Sequence, residues 1–224
     1  MFVEGTLRWQ VTEDCPWDLL MALAVRDLAG LGAAGDPVLP RLTPALAPVL
    51  RANTGSHPVH PSLGGGGGHG RSARRVPGVP GEDPLAEQWR AWFEVAVDRE
   101  RRPAGGMLRP PHFEAFDRAL ELQDVVIEHY DVASTWAHER HAEYVQASLL
   151  NHARRAADVV DVVREREHEL RRQAGYFRLD IDVLPLSSSG AWIVGPHTVV
   201  VSASLRDDSD AFRDWFRPLV SALV

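Results

Sequence analysis

Three of the ten histidines of this 224-residue chain, His138, His141 and His152, fall within the stretch WAHERHAEYVQASLLNH. Histidine titrates nearest to neutral pH and is the commonest metal ligand, so such a stretch can transfer protons or hold a divalent ion. Helix geometry divides the three. At about 1.5 Å rise per residue, His141 and His152 stand roughly 16 Å apart along the axis. One ion, with bonds to nitrogen of about 2 Å, cannot take both. His138 and His141, at i and i+3, can converge on one point. Extending the same wheel backward adds Ser134, Asp131 and Gln123 to the stripe. Asp131, His138 and His141 are therefore the candidate catalytic or metal-ligating set, and a divalent metal is the cofactor they would hold.

Val145, Leu149, Ala156, Val159 and Val163 continue this stripe, which predicts that it faces the core and turns the histidines inward. A polar patch midway along an apolar helical face is how bundle proteins build acid–base and metal sites. The motif signal is poor, because no His-Glu-x-x-His occurs. Glu-x-x-His appears once, at Glu165 and His168, off the stripe and inside REREHELRR, which reads as a solvated helix end. His152, between Leu149 and Ala156, reads as a core histidine.

Other chemistry is thinner. Cys15 precedes a helix start, where the dipole favours a thiolate, but the neighbouring Asp14 opposes it. The run SSSG lacks the strand–elbow–helix setting of a serine nucleophile and reads as a turn. GGGGGHG is not a phosphate loop, since no Lys-Ser/Thr follows it. His57, His60 and His69 lie in the same Gly/Pro-rich tract, where a polar loop outweighs a metal site. His197, in the turn GPH, is placed to rim a pocket or to lie on the surface.

Composition bounds the function. The chain is 45% apolar and 25% charged, as ordinary globular proteins are. It has no apolar run near the roughly 18 residues that span a bilayer, and MFVEGTLRWQ does not read as a signal peptide. A cytoplasmic protein with no membrane association is expected. Cys15 is the single cysteine, so no intrachain disulfide forms. All 24 basic residues are arginine, the mark of a GC-rich bacterial genome. The net charge of −7 disfavours nucleic acid, and Arg71, Arg74 and Arg75 are too few to reverse that.

The elements that must position any site are segregated in kind, with helices through the middle of the chain and strands gathered toward its end. MFVEGTLRWQV reads as a first strand, able to join a sheet at its edge, and DCPWDLLMALAVRDLAGLG as a helix ending at Gly30 or Gly32. Residues 52–83 are too rich in Gly and Pro to bury much surface and read as a flexible loop. Asp83 and Pro84 start the next helix. From His112 to Ala174 there is neither Gly nor Pro, which predicts two long helices, about 112–132 and 135–173, hinged near Ser134 and Thr135. YFRLDIDVLPL alternates as a half-buried strand, AWIV and TVVVSAS read as two further strands, and RDDSDAFRDWFRPLVSALV is an amphipathic helix that Pro218 should kink or split.

The expected class is α+β, with long antiparallel helices packed on a small antiparallel β-meander and an amphipathic C-terminal helix. Residues 1–51, 84–175 and 176–224 form its ordered parts, within one domain. The expected function is a binding or assembly protein, with a protein partner or a second copy as its partner. Its alternative is a small metal-dependent or acid–base enzyme working at His138 and His141.

Overall fold

The structure, a computed structural model, describes residues 2–5, 8–47, 83–102 and 106–224. The Gly/Pro-rich tract with His57, His60, His69 and the three arginines lies outside the described residues. Helices and one small sheet make the fold, so the class is α+β. Among the described residues no helix is long and apolar enough to cross a membrane.

The sheet is mixed and not the expected antiparallel meander. MFVEGTLRWQV is broken into β1 (Phe2–Gly5) and β2 (Trp9–Asp14), which pair antiparallel. β2 then runs parallel to β3 (Phe177–Leu184), and β3 parallel to β5 (Thr198–Ser202). β4 (Ala191–Ile193) closes the edge antiparallel to β5, giving the order β1-β2-β3-β5-β4. The alternation of FRLDIDVL is real, but its polar half is not solvated. Asp180 and Asp182 are buried, held by Arg99 and Arg102 from the loop after the second helix. A charged residue in a strand reads as exposed only when no counter-charge covers it, and that cover made a parallel, buried strand look half-exposed.

α1 (Trp17–Leu28) follows β2 directly. Residues 19–26 are all buried, so this helix is enclosed on every side. Pro16 stands at its N-cap, and the chain leaves it at Gly30 with φ +74°, a conformation glycine adopts without strain. The single charge inside, Arg26, donates to the Leu39 and Pro40 carbonyls and pairs with Asp27. α2 (Pro84–Val97) is capped by Asp83, which accepts from Leu85 N at 3.2 Å, and buries Trp89, Trp92 and Phe93. Trp89 Nε1 donates to the Ala22 carbonyl and ties α2 to α1.

Leu120–Leu170 forms one 51-residue helix, α3, where two were expected. Ser134 and Thr135 do not cap a second helix. The helix is about 75 Å long at 1.5 Å per residue and packs against α1 and the C-terminal helix. Its buried face is Val126, Ala133, Ala137, Tyr144, Arg155, Val159 and Val162. That face is turned by roughly a third of a revolution from the stripe through His138, Val145 and Leu149. The predicted core stripe is thus mostly solvent-facing between Ile127 and Leu149, at 52% and 76% exposure, whereas its end at Val159 and Val163 is buried as expected. α4 (Ala203–Asp207) follows β5, and α5 (Ser209–Leu223) runs unbroken through Pro218, capped by Asp208. Phe212, Phe216 and Val220 of α5 are fully buried.

Candidate binding site

The sequence-derived triad is not assembled. Asp131 is exposed and lines a shallow hollow with Leu46, Trp136 and Glu139. His138 is exposed too. Its Nδ1 is 2.7 Å from the carbonyl of Ser134, which can only accept, so that nitrogen donates. Its ring packs on Trp17 at 5.6 Å. His141 is half-buried, and its Nδ1 donates to the Cys15 carbonyl at 2.8 Å. The two histidines therefore tie α3 to itself and to the end of β2. Among the described residues no group of three or more His, Cys, Asp or Glu side chains could hold a metal ion. His152 is exposed, not a core residue. His197 does rim a cleft, together with Arg178 and Asp180.

His141 marks the margin of a different assembly, built on the sheet face that α3 covers. Alternation along β2 points Val11 and Glu13 toward α3, while Thr12 and Asp14 point away. Glu13 is fully buried. Its Oε1 accepts from Arg155 Nη1 at 2.7 Å, and its Oε2 from Arg206 Nε at 2.6 Å. Arg206 continues to Asp158 at 3.2 Å and to the Arg155 carbonyl at 2.9 Å. Arg155 continues to Asp207 at 2.8 Å, and Arg213 closes the far side of Asp158 at 2.8 Å. Taking a charge out of water costs several kcal/mol, which close pairing of this kind must offset. Burial works to lower the Arg155 pKa, but Glu13 and Asp207 outweigh it and raise it, so the guanidinium stays charged.

A cavity of about 180 Å³ opens beside this network. Cys15, Val183, Pro185 and Ala203 line it from the carboxyl ends of β2, β3 and β5. Arg140, Tyr144 and Arg155 line it from α3, and Asp207 from the end of α4. Open sheets with parallel strands place ligands at this edge, because the connections diverge there and leave a crevice. Arg155 stacks on the Tyr144 ring at 5.8 Å, and Arg140 pairs with Glu143 at 2.8 Å.

Three donors of this lining are buried without a hydrogen-bond partner among the described residues: Tyr144 Oη, Arg140 Nε and Arg155 Nε. Burial, with Glu13 and Asp14 adding to it, pushes the Tyr144 phenol up, so it keeps its proton at neutral pH and stays a donor. Burial also pushes the Cys15 thiol well up, reinforced by Asp14 and Asp182. Any lowering from the start of α1 is outweighed, so Cys15 is a neutral wall of the cavity and not a nucleophile.

Sequence reasoning missed Glu13, Tyr144, Arg155, Arg206 and Asp207. A signal was present, since Ala133, Ala137, Tyr144, Arg155, Asp158 and Val162 share one helical face. Hydrophobic periodicity ranks such a face below one carrying leucines, because two of its members are charged. Set against known protein families, curated proteins and solved structures, the chain matches none of them.

Proposed function

We propose that this chain is a binding protein for a small monocarboxylate, held in the cavity at the carboxyl ends of β2, β3 and β5. The observation that carries the reading is that Tyr144, Arg140 and Arg155 line one cavity and each has a buried donor with no hydrogen-bond partner among the described residues. Buried donors are ordinarily matched, so three around one space call for a ligand that supplies acceptors. The guanidinium charges are already balanced by Glu13, Asp207 and Glu143. That balance favours a ligand rich in acceptor atoms but with little net charge, a carboxylate over a phosphate dianion. The cavity, at about 180 Å³, is also below the roughly 300–1,000 Å³ of typical ligand pockets, which suits a molecule of few heavy atoms.

Calorimetric titration with acetate, longer straight-chain monocarboxylates and inorganic phosphate tests the reading. A monocarboxylate should bind more tightly than phosphate, and Tyr144→Phe should weaken it by about tenfold, the worth of one buried hydrogen bond to a charged group. Absence of carboxylate binding at millimolar concentration, or equal binding by Tyr144→Phe, overturns it.

A second reading is self-assembly, and the solvent-facing stripe of α3 favours it. Leu120, Ile127, Val145 and Leu149 are exposed there, at 62%, 52%, 38% and 76%. Reflection about His138 sets Ile127 opposite Leu149 and Leu120 opposite Ala156 but Val145 opposite Asp131, so a second copy packed antiparallel matches apolar to apolar at the two ends of the stripe. Light scattering on the full chain decides it. A dimer that Leu149→Glu converts to monomer supports assembly, and a wild-type monomer removes it. Metal chemistry at His138 and His141 has less in its favour, because among the described residues no group of three or more His, Cys, Asp or Glu side chains could hold an ion there.

A further inference from the structure

At the other end of β3 a larger cleft, about 350 Å³, lies between the loop 98–101, β3 and the turn 195–198 that enters β5. Its volume is within the range of ordinary ligand pockets. Its charges are matched among themselves. Arg178 pairs with Glu100 at 3.0 Å and with Asp180 at 2.9 Å, and Arg99 pairs with Asp182 at 2.8 Å. The cleft thus presents little uncompensated charge to a ligand.

Two residues that line it each carry a buried polar atom with no hydrogen-bond partner among the described residues: Asp180 Oδ1, an acceptor, and Arg99 Nε, a donor. The Asp180 side chain is only 5% exposed, and its Oδ1 lies 3.4 Å from Arg99 Nη1, so the two unmatched atoms belong to touching groups. A buried acceptor and a buried donor left open side by side match a ligand that donates and accepts from neighbouring atoms. A carboxylate only accepts and an ammonium only donates, whereas a carboxamide does both and is neutral.

We infer that this cleft is a second ligand site, and that its ligand is a neutral carboxamide bridging Asp180 and Arg99. The site is independent of the carboxylate cavity and takes a different chemical class. Amide proton–nitrogen correlation spectra of the full chain, titrated with acetamide, N-methylacetamide, acetate and methylammonium, test it. Acetamide, with one N–H beside its C=O, should shift signals of residues 98–101 and 195–198, while N-methylacetamide, whose N–H points away from its C=O, acetate and methylammonium leave those signals in place. Arg99→Lys, which keeps the charge but lacks Nε, should weaken amide binding by about tenfold. The wild-type map decides by itself if that variant does not fold. Acetamide shifts absent from these two loops, or equal shifts with N-methylacetamide, acetate or methylammonium, overturn the inference. Absent shifts would mean that Arg99 and Asp180 satisfy each other, and equal shifts that the cleft does not select a carboxamide with an N–H beside its C=O.

Discussion

Arg206 and Glu13, 193 positions apart in the chain, meet at 2.6 Å between Nε and Oε2 with both side chains fully buried. This pair, with Arg155 on the other carboxylate oxygen, fastens β2 to α3 and α4 at one point. Glu13→Ala leaves two buried guanidinium groups short of a partner, and the expected loss is about 3–5 kcal/mol. Urea denaturation checks it, with a lower midpoint and an unchanged slope. A loss under about 1 kcal/mol would mean that the pair is exposed in solution.

Alkaline pH should weaken the fold through the cavity wall. Burial holds the folded-state pKa of Cys15 above its ordinary 9.0 and that of Tyr144 above its ordinary 10.0. The unfolded chain therefore releases these protons first as pH rises. Their contribution is complete below pH about 9 and declines above it, at most by about 1.4 kcal/mol per pH unit for each group. Denaturation midpoints between about pH 8 and 10.5 should fall for the wild type and fall less for Cys15→Ala/Tyr144→Phe. Parallel profiles would show that neither group is shifted.

The two candidate histidines should separate in a stability measurement. His141→Ala removes a hydrogen bond that crosses from α3 to the end of β2, at a cost of about 1 kcal/mol. His138→Ala, on the exposed side of the helix, should change stability by under about 0.5 kcal/mol. Equal effects would argue that the rings act together.

How far the sequence carries can be judged on particular residues. The caps at Asp83 and Asp208, the helix exit at Gly30 and the strand FRLDIDVL were legible, because each depends on neighbours in the chain. The parallel pairing of β2 with β3 was not, since it joins Val11 to Leu179 across three helices. The orientation of α3 failed for a definite reason. Leu149 and Leu150 are exposed, while Arg155 and Asp158 are buried in a charge network completed by Glu13 and Arg206. Apolar periodicity finds a core made of hydrocarbon. It cannot find one made partly of paired charges, whose partners lie 48 to 142 residues away.

Tyr144→Phe should stabilise the free protein by about 1 kcal/mol, because it removes a buried hydroxyl with no partner among the described residues. The phenyl ring keeps its stacking against Arg155. Thermal denaturation without ligand checks the sign. A lower melting temperature would show that the hydroxyl is already satisfied in solution.

The most direct measurement is calorimetric titration of one monocarboxylate into the wild type and into Tyr144→Phe, under the same buffer and pH. The account predicts opposite signs for a single change: a more stable free protein and a ligand bound about tenfold more weakly. Equal affinity for the two proteins, or no carboxylate binding to either, contradicts it.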